Sequence, residues 1–215
     1  MRIIAGKYRR RKLHVNPGAV TRPITDRVKE TLFEHLQHYL AGKRIADIFS
    51  GTGSMGLEAL SRGASGAVFV EQDRRAHELL KQNVAELGVE AETLCWRADV
   101  LRCSFRPKNV PHLVPFDVIF FDPPYRMVSE LAPGTPLYKS LERLAKNDVS
   151  SPDAMLVFRT PEHATFNLSP LWQPWEELSK LDLSTMEIHL FQKTQMTNDP
   201  MTNANVPAPS SPETP

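Results

Sequence analysis

Between residues 44 and 160, short apolar runs alternate with stretches of amphipathic spacing. RIADIFS (44–50), AVFVEQD (67–73), ETLCWRAD (92–99), FDVIFFD (116–122) and AMLVFRT (154–160) read as strands. Such continuous apolar runs suit a sheet covered on both faces, because a half-exposed strand would alternate instead. SMGLEALSR (54–62) and DRRAHELLKQNVAEL (73–87) separate the first three strands and carry helical spacing. Strand–helix alternation of this kind predicts a mostly parallel, doubly wound α/β sheet. WEELSKLDL (175–183) and TMEIHLFQK (185–193) read as two more strands joined near Asp182 to Ser184, an antiparallel hairpin on one edge.

The first forty residues differ. RIIAGKYRRRKLHV (2–15) alternates well enough for one or two short strands, expected as a hairpin. In the following TRPITDRVKETLFEHLQHYL, Thr25 or Asp26 caps a helix whose stripe is Val28, Leu32, Leu36 and Tyr39 or Leu40. The segment from 194 to 215 has five prolines, no basic residue and no periodicity, and is expected to be disordered. The expected organisation is therefore a basic N-terminal extension (1–22), a Rossmann-like domain (23–193) and a Pro-rich tail (194–215). No apolar run approaches the roughly 20 residues a membrane span needs, and MRIIAGKYRRRK lacks the apolar core of a secretory signal. Cys95 and Cys103 read as reduced thiols, so a cytoplasmic setting is expected.

Charge changes this picture in one respect. The formal net charge is only +1, yet residues 1–30 hold nine Lys/Arg against Asp26 and Glu30. A basic head on a mildly acidic body suggests a polyanionic partner touched by one end, with a solvated charge run as the plain alternative. His35, His38, His77, His112, His163 and His189 show no metal-ligand spacing, and no metal is expected.

Two constellations carry chemistry. In DIFSGTGSMG (47–56), Gly51, Gly53 and Gly56 have the G-x-G-x-x-G spacing between a strand and a helix. Glu71 ends the next strand, where a carboxylate can accept from ribose hydroxyls, and Asp99 follows the third strand, where an adenine amine could be read. Alone, this fits a nicotinamide cofactor as well as S-adenosylmethionine. Asp122-Pro123-Pro124-Tyr125 ends the fourth strand and decides between them. The Asp122 carboxylate and the Pro123 carbonyl can accept both N–H groups of an exocyclic base amine, the prolines fix that carbonyl, and Tyr125 offers a stacking face. A dehydrogenase has no use for such a clamp, so transfer of a methyl group to a base amine is expected. A DNA or RNA adenine-N6 methyltransferase, a nicotinamide dehydrogenase and a non-catalytic ribosome-assembly RNA-binding factor on the same fold are the rival readings.

With these residues in view, the chain resembles the RsmD-type methyltransferases, which modify N2 of a guanine in bacterial 16S ribosomal RNA. The resemblance rests on MRIIAGKYRRRKL, TRPITDRVKETLFEHL, DIFSGTGSMGLEALSRGA, VEQDR and DPPY, and runs from Met1 to about Lys193. It implies a class I methyltransferase fold, an S-adenosylmethionine donor, and 16S rRNA as partner, in the small subunit or its assembly intermediate; a monomer is the default expectation. Carried over by position, Asp122, Pro123, Pro124 and Tyr125 hold the target amine. Asp47, Phe49, Ser50, Gly51, Thr52, Gly53, Glu71, Gln72, Asp99 and Val100 hold the cofactor. Arg9, Arg10, Arg11, Lys12, Arg22 and Arg27 meet RNA phosphates or the cofactor carboxylate. Arg10 stands where the family pattern has glycine, and residues 104–115 form a longer, more proline-rich connection than usual.

Overall fold

In a computed structural model, the structure describes residues 1–15, 24–166, 174–183 and 185–194. The expected tail, Arg22 and Trp172 fall outside the described residues, the tail with the exception of Thr194.

Among the described residues seven strands form one sheet: β1 (Arg44–Ile48), β2 (Gly66–Glu71), β3 (Thr93–Arg97), β4 (Phe116–Phe121), β5 (Ser150–Pro161), β6 (Trp175–Asp182) and β7 (Met186–Lys193). Their spatial order is β3-β2-β1-β4-β5-β7-β6. The first five run parallel, and β7 is antiparallel to both β5 and β6. This is the expected doubly wound sheet with an antiparallel hairpin at its edge, β7 inside and β6 outermost.

Helices cover both faces. α1 (Asp26–His35), α2 (Ser54–Ser61) and α3 (Arg74–Leu87) bring Leu32, Phe33, Leu57, Leu80 and Val84 onto Ile45, Phe69, Phe120 and Val157. The other face receives α4 (Tyr125–Val128) and α5 (Pro136–Leu144), whose Val128, Leu137 and Leu141 join Ile48, Ile119 and Phe158. α1, α3 and α5 each start at a side-chain cap. Thr25 Oγ1 accepts from Val28 N, Asp73 from Ala76 N, and Thr135 from Tyr138 N. The helical stripe continues past α1 into a single 3-10 turn, Gln37–Tyr39, where Leu40 is buried and Tyr39 lies exposed. α4 and α5 were not among the expected elements.

The strands expected at residues 2–15 reduce to one antiparallel bridge pair, Arg2 with Lys12. Arg10 adopts φ 70°, the left-handed conformation that suits the glycine of the family pattern, so the turn survives with a charged residue in it. Ile3 and Leu13 are buried in the same cluster as α1 and α2, which makes this segment part of the core. Lys7 N donates to Ser61 O and Tyr8 N to Ser61 Oγ, so the turn rests on the C-terminal end of α2.

No helix among the described residues is long and apolar enough to cross a membrane.

Candidate active site

The strand order reverses between β1 and β4, and the crevice outside their carboxyl ends is where an open α/β sheet binds ligands. One backbone bond joins the two motifs there: Asp122 N donates to Ile48 O at 3.2 Å. The DPPY segment therefore begins beside the glycine turn.

The turn leaves β1 through Phe49 (φ 63°), Gly51 (φ 55°) and Gly53 (φ 85°). Phe49 is no glycine, and its conformation is fixed from two sides. Its N–H and that of Ser50 both donate to Val70 O, and its ring packs edge-on against Phe121 with centroids 5.5 Å apart. A Cβ at Gly51 would meet nothing within 4 Å, so the backbone is open to a ligand at that point. At Gly53 the φ of 85° strains any side chain, and a Cβ would lie 2.4 Å from Leu80 Cδ1 where α2 approaches α3.

The carboxylates frame this turn. Glu71, at the end of β2, accepts from Gly51 N (2.8 Å) through one oxygen and from Asp73 N (2.7 Å) through the other. Each oxygen keeps a further lone pair, so bracing the loop leaves capacity to accept from a ligand hydroxyl. Asp47 is buried and Oδ2 accepts from Gly56 N at 2.8 Å. Burial pushes its carboxyl up to about 8, helped by the nearby Asp122 and Glu71 charges and opposed by the Gly56 hydrogen bond. Asp99 accepts from Leu101 N through Oδ1, and the adjacent Val100 is buried, its carbonyl accepting from Ser140 Oγ and Arg143 Nη2. Gln72 is exposed. Ser50 Oγ and Ser54 Oγ are buried without a hydrogen-bond partner among the described residues. Buried polar atoms are seldom left so, and these two stand at the start of α2. An open glycine, two orphan hydroxyls and Glu71 fit a ligand rich in polar groups, as an adenosyl amino acid is.

Asp122 sits at the mouth, a quarter of its side chain exposed. Its Oδ1 accepts from Arg159 Nε at 2.6 Å, and the Arg159 guanidinium lies 5.9 Å from the centre of the Tyr125 ring. Burial raises the Asp122 carboxyl above its ordinary value, while the Arg159 charge and hydrogen bond act against that rise. Pro123 is buried, and Pro124 caps α4, whose first residue is Tyr125. Sequence reading missed Arg159. The available signal was a lone arginine inside the apolar run AMLVFRT, since a buried strand seldom carries an unpaired charge.

The structure thus brings Asp47, Phe49–Gly53, Glu71 and Asp122–Tyr125 to one crevice, with Asp99 after the neighbouring strand. It does not bring Arg9, Arg10, Arg11 and Lys12 there. Their turn rests on the end of α2 level with the start of β1, where Gly42 N donates to Gly63 O. Arg11 Nη2 donates to Glu86 O in the last turn of α3, a helix about 20 Å long whose other end adjoins Glu71. All four are exposed. Arg27 is exposed in the first turn of α1. Cys95 and Cys103 are free thiols, and among the described residues no group of three or more His, Cys, Asp or Glu could hold a metal.

Comparison with known proteins places this geometry in context. The family model described as Conserved hypothetical protein 95 matches residues 1–192. Ribosomal RNA small subunit methyltransferase D of Haemophilus influenzae is 35% identical over 199 residues, 89% of this chain and 93% of that protein. The protein of the same name from Escherichia coli K12 is 39% identical over 132 residues, 59% of this chain and 61% of its own. Among solved structures, Escherichia coli yhhF aligns with TM-score 0.72 and 29% identity over 90% of this chain and 98% of its own.

Proposed function

We propose that this chain, which belongs to the Conserved hypothetical protein 95 (RsmD) family, transfers a methyl group from S-adenosylmethionine to the N2 amine of a guanine in 16S ribosomal RNA. Methylation of small-subunit rRNA is the activity that its relatives' names carry. The observation behind the choice of an amine is the position of Asp122: a carboxylate at the crevice mouth, tied by its backbone to the end of β1 beside the glycine turn.

When bound, S-adenosylmethionine supplies an electrophilic methyl group on a sulfonium. The chain's own residues do the rest. Gly51, Gly53, Ser50, Thr52 and Ser54 line the bend that receives the donor, with Phe49 packed behind it. Glu71 accepts from its ribose hydroxyls, while Asp99, flanked by Val100, and Gln72 border its base. Asp47 holds the turn through Gly56. Asp122 and the Pro123 carbonyl each accept one N–H of the target amine, whose lone pair is otherwise delocalised into the base. Fixing the amine in this way supplies the largest share of the acceleration, because orientation turns a two-body encounter into a single-body step. The amine sheds one proton on methylation, and Asp122 is the acceptor in contact with it. Tyr125 stacks on the base, worth about 1–3 kcal/mol. That contact offsets the few kcal/mol needed to take a base out of its stack. The basic N-terminal turn meets phosphates away from the target base. In this reading the enzyme works as a cytoplasmic monomer on the small subunit or its assembly intermediate.

The test is mass spectrometry of nucleosides from small subunits lacking the modification, after incubation with the protein and isotope-labelled S-adenosylmethionine. Labelled N2-methylguanosine is the expected product. Label in N6-methyladenine of a parallel DNA sample would replace this reading with the DNA enzyme. Donor binding without label anywhere would favour an assembly factor.

A further inference from the structure

The DPPY motif is complete in sequence, yet its aspartate does not stand alone in the fold. We infer that Arg159 is a positioning residue for the amine clamp: it ties down Asp122 Oδ1, leaves Oδ2 to face the target, and backs the Tyr125 ring on which the base would stack. The inference rests on the amine-methylation reading above and adds a residue that lies outside the motif.

The geometry carries it. β4 and β5 are parallel neighbours in register, Phe121 opposite Phe158, so Asp122 and Arg159 each stand one residue further along. Arg159 Nε donates to Asp122 Oδ1 at 2.6 Å, and the Asp122 side chain makes no hydrogen bond through Oδ2 to any described residue. Arg159 itself is buried, only 8% exposed. With Asp122 it lines a small cavity whose other walls are Ile24, Leu32, Met55, Phe120, Phe121, Val157 and Ile188, none of them titratable. Asp47 on β1 is also buried nearby, and the Asp122 charge helps keep its carboxyl protonated. A buried guanidinium with one carboxylate partner in an apolar cavity is costly to maintain unless the pair is needed, because desolvation offsets much of the mutual attraction. The need is evident from the carboxyl's own situation. Burial raises it, and an uncharged, freely rotating acid would offer an O–H where the target amine requires an acceptor. A rigid ion pair opposes the first and prevents the second. The same guanidinium lies 5.9 Å from the Tyr125 ring centre, so one side chain fixes the acceptor and the stacking face together.

Arg159→Gln and Arg159→Lys test this with two readouts. The first is a carbon-13 NMR titration of the Asp122 carboxyl in the free protein, assigned by its disappearance in Asp122→Asn. In Arg159→Gln the midpoint is expected to rise by at least one pH unit, and in Arg159→Lys to return most of the way. The second is the pH dependence of methyl transfer. The acid limb of kcat should move upward with the midpoint, costing about tenfold at a pH one unit below it, while donor affinity stays unchanged. An Asp122 midpoint and acid limb in Arg159→Gln that coincide with those of the native protein would overturn the inference. If Arg159→Gln fails to fold, Arg159→Lys still decides. There the charge is kept and the fork is lost, so an unchanged midpoint with lowered kcat supports positioning, and native kcat refutes it. The NMR arm requires no methyl transfer, so a failure of the amine-methylation reading would show separately, as a native protein that labels no nucleoside.

Discussion

Lys29 Nζ lies 3.2 Å from Glu58 Oε2, and both side chains are sealed from solvent. Lys29 also donates to Arg2 O at 2.6 Å. Glu58 accepts in addition from Ile4 N, Ala5 N and Arg62 Nε. One carboxylate thereby holds the N-terminal segment, α1 and α2 in place. Burial pulls the Lys29 ammonium below its ordinary value, with Glu58 acting to restore it. Glu58→Ala would leave a buried ammonium and two backbone N–H groups without their acceptor, a loss of about 3–5 kcal/mol. Thermal unfolding should show a drop on the order of 10 °C. Lys29→Met should cost much less, since Glu58 keeps Arg62 and both amides.

Asp122→Ala should abolish methyl transfer, with a fall of at least about a hundredfold in kcat, while calorimetric affinity for S-adenosylmethionine stays within about twofold. Full turnover in this variant would remove Asp122 from the reaction.

Asp47 gives a pH dependence with a definite sign. In the folded chain its carboxyl holds a proton up to about pH 8, whereas in the unfolded chain it releases it near the ordinary value of 3.8. The folded state therefore binds more protons across this window, and stability falls as pH rises through it, by up to about 1.4 kcal/mol for each pH unit. Asp47→Asn cannot ionise and lacks that slope. Melting temperatures measured at pH 5 and pH 8 without cofactor should shift in favour of the variant at the higher pH, whatever its absolute stability.

The basic turn predicts a salt effect that depends on substrate size. Replacing Arg9 and Arg10 by serine should reduce the slope of log affinity against log salt by about 1.5–2 for the small subunit. A short oligonucleotide confined to the crevice should show no such change, because the turn sits at the other end of the sheet. Equal effects on both substrates would place the RNA path elsewhere.

The strands, the glycine turn and the DPPY corner were legible because each is a local pattern: an apolar run, a spacing of glycines, two successive prolines. Arg159 and Lys29 were not. Each is a charge whose partner lies on another element, 37 and 29 residues away for Asp122 and Glu58, and local sequence does not say which residue answers it at that range. Lys29 even sits on the buried side of α1 while reading as one of the solvated positions of KETLF. The placement of Arg9 to Lys12 was hidden for a related reason. Their composition announced a basic surface, but only the docking of Lys7 and Tyr8 on Ser61 fixes which end of the molecule carries it.

The interior position of β7 has a consequence for how the chain matures during synthesis. β7 is the last of the seven strands to be made, yet it pairs with β5 along seven residues, from Met155 to Pro161, and separates β5 from β6. Until residues 186–193 have emerged, β5 offers an open hydrogen-bonding edge that carries Leu156, Val157 and Phe158, and such an edge can recruit another chain. Ile188, which lines the cavity around Arg159, arrives with that strand. A nascent chain can therefore assemble the β1–β3 half, with its glycine turn and Glu71, well before the half that carries Asp122 and Arg159 is finished. Stalled or truncated products lacking β7 would be sticky as well as inactive, and chaperone dependence should concentrate in that interval.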